Sequence, residues 1–139
     1  MSLILIVDDE DYLRSLAEKI LKSKAHEVLQ AKSAREAVQI CQEKPVELVI
    51  TDLSMPDMDG IELIRSLRNS HPDLPILAMS GTFTGQFFKV AKRLAAVETL
   101  GKPFRKADLL KMVIRSWKLP SSDLELAGQL TGNASRASG

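Results

Sequence analysis

Cysteine is nearly missing from this chain: Cys41 is the only one among 139 residues. That excludes a disulfide framework and a thiolate metal cluster, and it suits a reducing, cytoplasmic setting. Histidine is scarce as well, and neither His26 nor His71 has other metal-ligating residues around it. A surplus of one charge is absent too. The formal net charge of +1 argues against a globally basic nucleic-acid binder, although a local patch remains open. No apolar run approaches the roughly 18–20 residues that span a bilayer. Leu3 to Val7 is apolar, but Asp8, Asp9, Glu10 and Asp11 follow at once. An export signal needs a basic start, a longer apolar stretch and small residues for cleavage, so this segment reads as a strand.

What is present fits one compact domain. A hydrophobic fraction of 45% and a charged fraction of 27% are ordinary for a globular protein, and a core of this size needs no disulfide or structural metal. Leu3-Ile4-Leu5-Ile6-Val7 is a continuous β-branched run bounded by carboxylates, as in a strand buried on both faces. Leu13, Leu16, Ala17, Ile20 and Leu21 then recur at helical spacing. Glu27 to Ala31 reads as a second strand. Ser33 and Glu36 form a capping box for a helix that carries Ala37, Ile40 and Cys41 inward and stops near Lys44, before Pro45. Val46 to Thr51 is a third strand, and a loop from Asp52 to Gly60 leads into a helix with Ile61, Ile64 and Leu67 inward. Ile76 to Met79 is a fourth strand, Phe87 to Ala95 marks another helix, and Val97 to Gly101 is a fifth strand. Leu109, Leu110, Val113, Ile114 and Trp117 line a last helix that ends before Pro120.

The pattern is βα repeated five times with short connections. It calls for parallel strands and right-handed crossovers, giving an α/β doubly wound sheet with helices on both faces. Residues 1–119 form the expected domain. Residues 120–139, rich in Ser, Gly and Ala from Ser121 on, read as a flexible tail or linker stub.

In open α/β sheets, ligands bind beyond the C-terminal ends of the strands. Strand one delivers Asp8 and Asp9 there, strand three Asp52, strand four Ser80 and Gly81, and strand five Lys102 and Pro103. Clustered carboxylates repel one another unless a cation neutralises them, and oxygen ligands without His or Cys point to Mg²⁺. Lys102 supplies a positive charge for a phosphoryl oxygen, and the Ser80 hydroxyl can donate to a second. Asp52, central on strand three, is the natural nucleophile for an acyl phosphate. A small residue at Gly81 leaves room for phosphoryl oxygens. Taken singly, each residue has a plainer reading: Asp8 or Asp9 as a helix cap, Ser80 as a turn residue, Lys102 as a solvated lysine. Their arrival from separate strand ends is what points to a site.

These residues resemble the receiver domain of two-component response regulators, over about Leu3 to Leu119. The motifs are Val7-Asp8-Asp9-Glu10, Asp52-Leu53-Ser54-Met55-Pro56-Asp57-Met58-Asp59-Gly60, Ser80-Gly81 and Lys102-Pro103-Phe104. The resemblance implies a flavodoxin-like (βα)5 fold with strand order 2-1-3-4-5. It implies that Asp52 accepts a phosphoryl group from a sensor histidine kinase, a phosphotransfer protein or a small phosphodonor. Asp9 and Asp52 would ligate Mg²⁺ directly, Asp8 through water, and Ser54 through its backbone carbonyl. Ser80 would swing towards the phosphoryl group, Lys102 would pair with it, and Lys102-Pro103 would be a cis peptide. The output face would be the fourth helix, fifth strand and last helix, docking a downstream protein, with dimerisation allowed.

One position departs from the family pattern. Thr99 stands where many members carry an aromatic residue three positions before the lysine, so the coupling would run through backbone shifts or through Phe83 and Phe87. Ser54 and Thr82 flank the pocket and could tune the phosphoryl lifetime. Lys89, Lys92, Arg93, Lys106, Lys111, Arg115 and Lys118 crowd the last two helices, as a solvated face or a dock for an acidic partner. Two alternatives stay open. A phosphohydrolase with an aspartyl nucleophile would want a general acid two residues on, where Ser54 stands. A binding module that works without phosphorylation would tolerate Thr99. No helix-turn-helix pattern follows Trp117, so no direct nucleic-acid contact is expected.

Overall fold

The computed structural model describes residues 2–53, 60–81 and 98–118. The strands are β1 (Leu3–Val7), β2 (Glu27–Ala31), β3 (Leu48–Asp52), β4 (Ile76–Ser80) and β5 (Glu98–Gly101). The helices are α1 (Asp11–Lys22), α2 (Ala34–Glu43), α3 (Gly60–Ser70) and α4 (Lys106–Lys118). All pairings are parallel and the strand order is β2-β1-β3-β4-β5, so the doubly wound arrangement read from the sequence holds. The helix expected from Phe87 to Ala95 lies outside the described residues, as do Ser54, Thr82, Phe83 and the tail.

Side chains on a strand alternate between faces, and β1 uses both. Leu5 and Val7 join Val49, Ile76 and Ala78 beneath α2 and α3. Ile4 and Ile6 join Leu48, Ile50, Leu77 and Met79 beneath α1 and α4. Each helix contributes a stripe at helical spacing, such as Ala34, Ala37 and Cys41 on α2. Burial in that stripe pushes the Cys41 thiol up to about 11, so it serves as packing rather than as a nucleophile.

Four details differ from the periodicity. β3 begins at Leu48 rather than Val46 because the turn after Pro45 takes Val46, whose amide donates to the Lys44 carbonyl at 2.8 Å, while the Glu47 amide donates to the Leu3 carbonyl at the mouth of the ladder. On α3, Leu63 is fully buried and Ile61 only half-buried. On α4, the inward stripe is Leu109, Val113 and Ser116, which leaves Ile114 53% exposed. In the capping box, Ser33 accepts from the Glu36 amide as expected, but the Glu36 carboxylate reaches back to the Lys32 amide rather than to Ser33.

The far end of α4 is fastened to the N-terminal edge of the sheet. The Trp117 indole donates to the Glu47 carbonyl at 3.2 Å, and its ring lies 5.2 Å from that of His26. The Nδ1 atom of His26 is buried without a hydrogen-bond partner. Burial holds its imidazolium below the ordinary value, and Glu47 pulls weakly the other way. The unfolded chain therefore protonates first as pH falls, and stability that is present above about pH 6.5 declines through the lowered folded value. We expect urea midpoints followed by Trp117 fluorescence to drop below that pH in the wild type and to drop less steeply in His26→Gln. Equal slopes would contradict this role for His26.

Candidate phosphoryl and metal site

The C-terminal edge of the sheet gathers the residues singled out in the sequence. Asp8 follows β1 directly, its amide donates to the Ala31 carbonyl at 3.1 Å, and its side chain is fully buried. Asp9, one residue on, is exposed. Asp52 closes β3, pairs in register with Met79 and is 6% exposed. Carboxylate oxygens of Asp8, Asp9 and Asp52 all lie within 4.8 Å of one another. Ser80 closes β4 and is buried. Its carbonyl accepts the Lys102 amide at 2.8 Å, which ties the end of β5 to the end of β4. The Lys102–Pro103 peptide is cis. Gly81 borders Lys102, whose Cβ would sit 3.7 Å from a Cβ placed there, an ordinary contact.

Lys102 is the electrostatic centre. Its ammonium donates to Asp8 Oδ2 at 2.9 Å, Asp52 Oδ2 at 3.3 Å and Glu10 Oε1 at 3.4 Å. Its side chain is 8% exposed. Burial works against its charge most strongly, but the bond to Asp8 and the fields of Asp52 and Asp8 outweigh it and hold the ammonium above the ordinary lysine value. Among the described residues, Asp8, Asp52 and Glu10 meet one ammonium and Asp9 joins the two aspartates beside it, an excess of negative charge that a divalent cation would offset. The donors are all oxygen, which fits Mg²⁺ and not zinc. The plain helix-cap reading of the acidic pair is met only in part. Asp8 Oδ1 accepts the Glu10 amide at 3.0 Å, but Glu10 occupies the N-cap position of α1 without a side-chain capping bond.

Two residues escaped the sequence reading. Arg14, on α1, is 5% exposed and donates through Nη1 to the Asp8 carbonyl at 2.8 Å and through Nε to Gln30 at 2.9 Å. It also pairs with Asp11. It thus clamps the turn that presents Asp8 and Asp9. The signal was its spacing: positions 14, 17 and 21 share the inward face of α1 with Ala17 and Leu21. The second residue is Glu10, whose contact with Lys102 spans 92 positions. Gly60 also shapes the site from below. A Cβ there would run into the backbone of Asp52 and Leu53, 2.5 Å from the Leu53 Cα. The Gly60 amide donates to the Leu53 carbonyl, so α3 starts directly against the end of β3.

A family model described as the response regulator receiver domain matches residues 4–114. The chain is 36% identical over 112 residues to sensor kinase CckA of Brucella abortus, covering 79% of this chain and 12% of that protein. It is 31% identical over 113 residues to the response regulator receiver protein CpdR of the same organism, covering 81% of this chain and 94% of CpdR. It thus spans about an eighth of the first of these relatives and nearly all of the other. Among solved structures, the chemotaxis response regulator CheY4 of Vibrio cholerae is similar at a TM-score of 0.80 and 30% identity, covering 84% of this chain and 98% of that one.

Two substitutions test how the site is supported. Arg14→Met leaves the Asp8 carbonyl and Gln30 without their donor, which costs about 1–3 kcal/mol for a buried group. We expect a lower urea midpoint and weaker Mg²⁺ binding by isothermal titration; unchanged Mg²⁺ affinity would remove Arg14 from the site. Gly60→Ala overpacks the β3–α3 junction and should lose about 1–3 kcal/mol. A chemical-denaturation midpoint equal to that of the wild type would show that the junction yields freely.

Proposed function

Because the chain belongs to the response regulator receiver domain family, we propose that it acts as a phosphorylation-controlled signalling switch with Asp52 as the phosphoryl acceptor. The observation that carries this reading is the contact of one buried ammonium, Lys102, with Asp52 and Asp8, beside the exposed Asp9. Receiver domains are signalling domains rather than metabolic enzymes, and the catalysis proposed for this chain is confined to its own phosphotransfer and dephosphorylation.

An Asp52 carboxylate oxygen attacks the donor phosphorus, the new O–P bond forms, and the P–N or P–O bond of the donor breaks with its electron pair leaving on the donor. The donor is a phosphohistidine of a sensor histidine kinase or phosphotransfer protein, or a small acyl phosphate. Asp9 and Asp52 would hold Mg²⁺ directly and Asp8 through water, and Ser54, outside the described residues, is assigned the carbonyl ligand. When bound, Mg²⁺ offsets the charge of the carboxylates and of the transferring phosphoryl oxygens. Lys102 then shifts a hydrogen bond from the Asp52 oxygen to a phosphoryl oxygen. Ser80 follows with its hydroxyl, and exposed Gly81 leaves that side open.

The output runs to the face of β5 and α4, and the helix expected from Phe87 to Ala95, which the sequence reading adds to that face, lies outside the described residues. The described part of the face carries exposed Ile114 beside Lys111 and Arg115, with Arg115 3.4 Å from Glu98. An exposed apolar side chain flanked on its helix by Lys111 and Arg115 suits a downstream protein with an acidic, partly apolar surface, or a second copy of this chain. Thr99 pairs with Ala78 in the ladder, so no aromatic ring stands at that position to relay the change. We assign residues 1–119 to the switch and 120–139 to a tail or linker. No helix among the described residues is long and apolar enough to cross a membrane. We place the switch in the cytoplasm, with its kinase.

Incubation with acetyl phosphate and Mg²⁺, read by intact mass, tests the proposal. We expect one phosphoryl mass on the wild type, none on Asp52→Asn, and none when EDTA replaces Mg²⁺. Gain of mass by Asp52→Asn would misplace the acceptor. Sustained phosphate release from varied monoesters would instead favour an aspartyl phosphohydrolase.

A further inference from the structure

Lys102 has three hydrogens to donate and meets three carboxylates, but the three contacts are unequal. Asp8 is fully buried at 2.9 Å, and Asp52 is nearly so at 3.3 Å. Glu10 is the longest contact at 3.4 Å, and its side chain is 60% exposed. Asp8 cannot be released without stranding a buried carboxylate, which is costly. Glu10 can be released into water at little cost. Glu10 also has no other side-chain task among the described contacts, since it occupies the N-cap position of α1 without a capping bond.

We infer that Glu10 is a positioning residue, a displaceable counter-ion for Lys102. It holds the ammonium at the mouth of the pocket before phosphorylation and yields it to the incoming phosphoryl oxygen. The inference rests on the receiver reading of Asp52. Two consequences follow from the charge and place of Glu10. An anionic phosphodonor approaching Asp52 meets an exposed negative charge beside the Lys102 ammonium, so its association is slowed. A phosphoryl group already in the pocket competes with Glu10 for Lys102, so its hold is weakened. A donor with a smaller negative charge meets less of the first effect. Glu10 therefore favours donors that a docked protein carries in over dianionic metabolites free in solution.

The test compares wild type with Glu10→Gln and Glu10→Ala, each at saturating Mg²⁺ so that a change in metal affinity does not enter. Phosphorylation rates are measured with acetyl phosphate and with phosphoramidate, at low and high salt, and beryllofluoride affinity is read by fluorine NMR. Both variants should react with acetyl phosphate about threefold faster at low salt, the scale of an exposed ion pair. The gain should shrink with added salt and be smaller with phosphoramidate, and beryllofluoride should bind about threefold tighter. A merely structural role for Glu10 would not depend on donor charge or on salt. Equal rates and equal beryllofluoride affinity in all three proteins would overturn the inference while leaving the receiver reading in place. A wild type that takes up neither phosphoryl group nor beryllofluoride would overturn both.

Discussion

The contact of the Lys102 ammonium with Asp8 and Asp52 is the constraint on which the rest of the site depends. Two buried carboxylates at the ends of neighbouring strands are costly to hold together without a cation. Lys102 supplies that cation from the far side of the sheet, 94 positions after Asp8 and 50 after Asp52. The arrangement requires β1, β3, β4 and β5 to end at one level. The parallel register achieves this: Val7 lies opposite Thr51, Asp52 opposite Met79, and Ser80 opposite Gly101. The backbone bond from Lys102 to Ser80 then fixes where the lysine stem begins.

Supports for this arrangement come from both faces of the sheet. Arg14 reaches up from α1 to the Asp8 carbonyl and sideways to Gln30 on β2, joining the acidic turn to the edge strand. Gly60 lets α3 begin flush against Asp52 and Leu53. The clustered carboxylates of Asp8, Asp9 and Asp52 thus sit on strand ends and one short turn, which limits how far they can drift. The exposed members, Asp9 and Glu10, stand on the solvent side of the cluster.

Much of this was legible in the sequence because each strand is a short apolar run stopped by a polar residue of a particular kind. That interruption marks the end of burial, and in a parallel sheet those ends share one edge. Asp8, Asp9, Asp52, Ser80 and Lys102 were found in this way. What stayed hidden depends on contacts between elements. Arg14 looks like one more cation on an amphipathic helix until Gln30 and the Asp8 carbonyl are brought beside it. Glu10 acquires its role only through Lys102. Ile114 falls on the expected apolar face of α4 by period alone, yet the stripe that the sheet accepts is Leu109, Val113 and Ser116. The start of β3 was displaced because Pro45 sets up a turn that takes Val46 out of the ladder.

The proposed acceptor is Asp52 and no neighbouring carboxylate. Borohydride reduction of the acetyl-phosphate-treated protein, followed by digestion and peptide mass mapping, reads this directly, since an aspartyl phosphate is converted to homoserine. Homoserine is expected at position 52 alone, in Mg²⁺-treated protein only. Homoserine at position 8 or 9, or its absence from a protein that has gained phosphoryl mass, would contradict it.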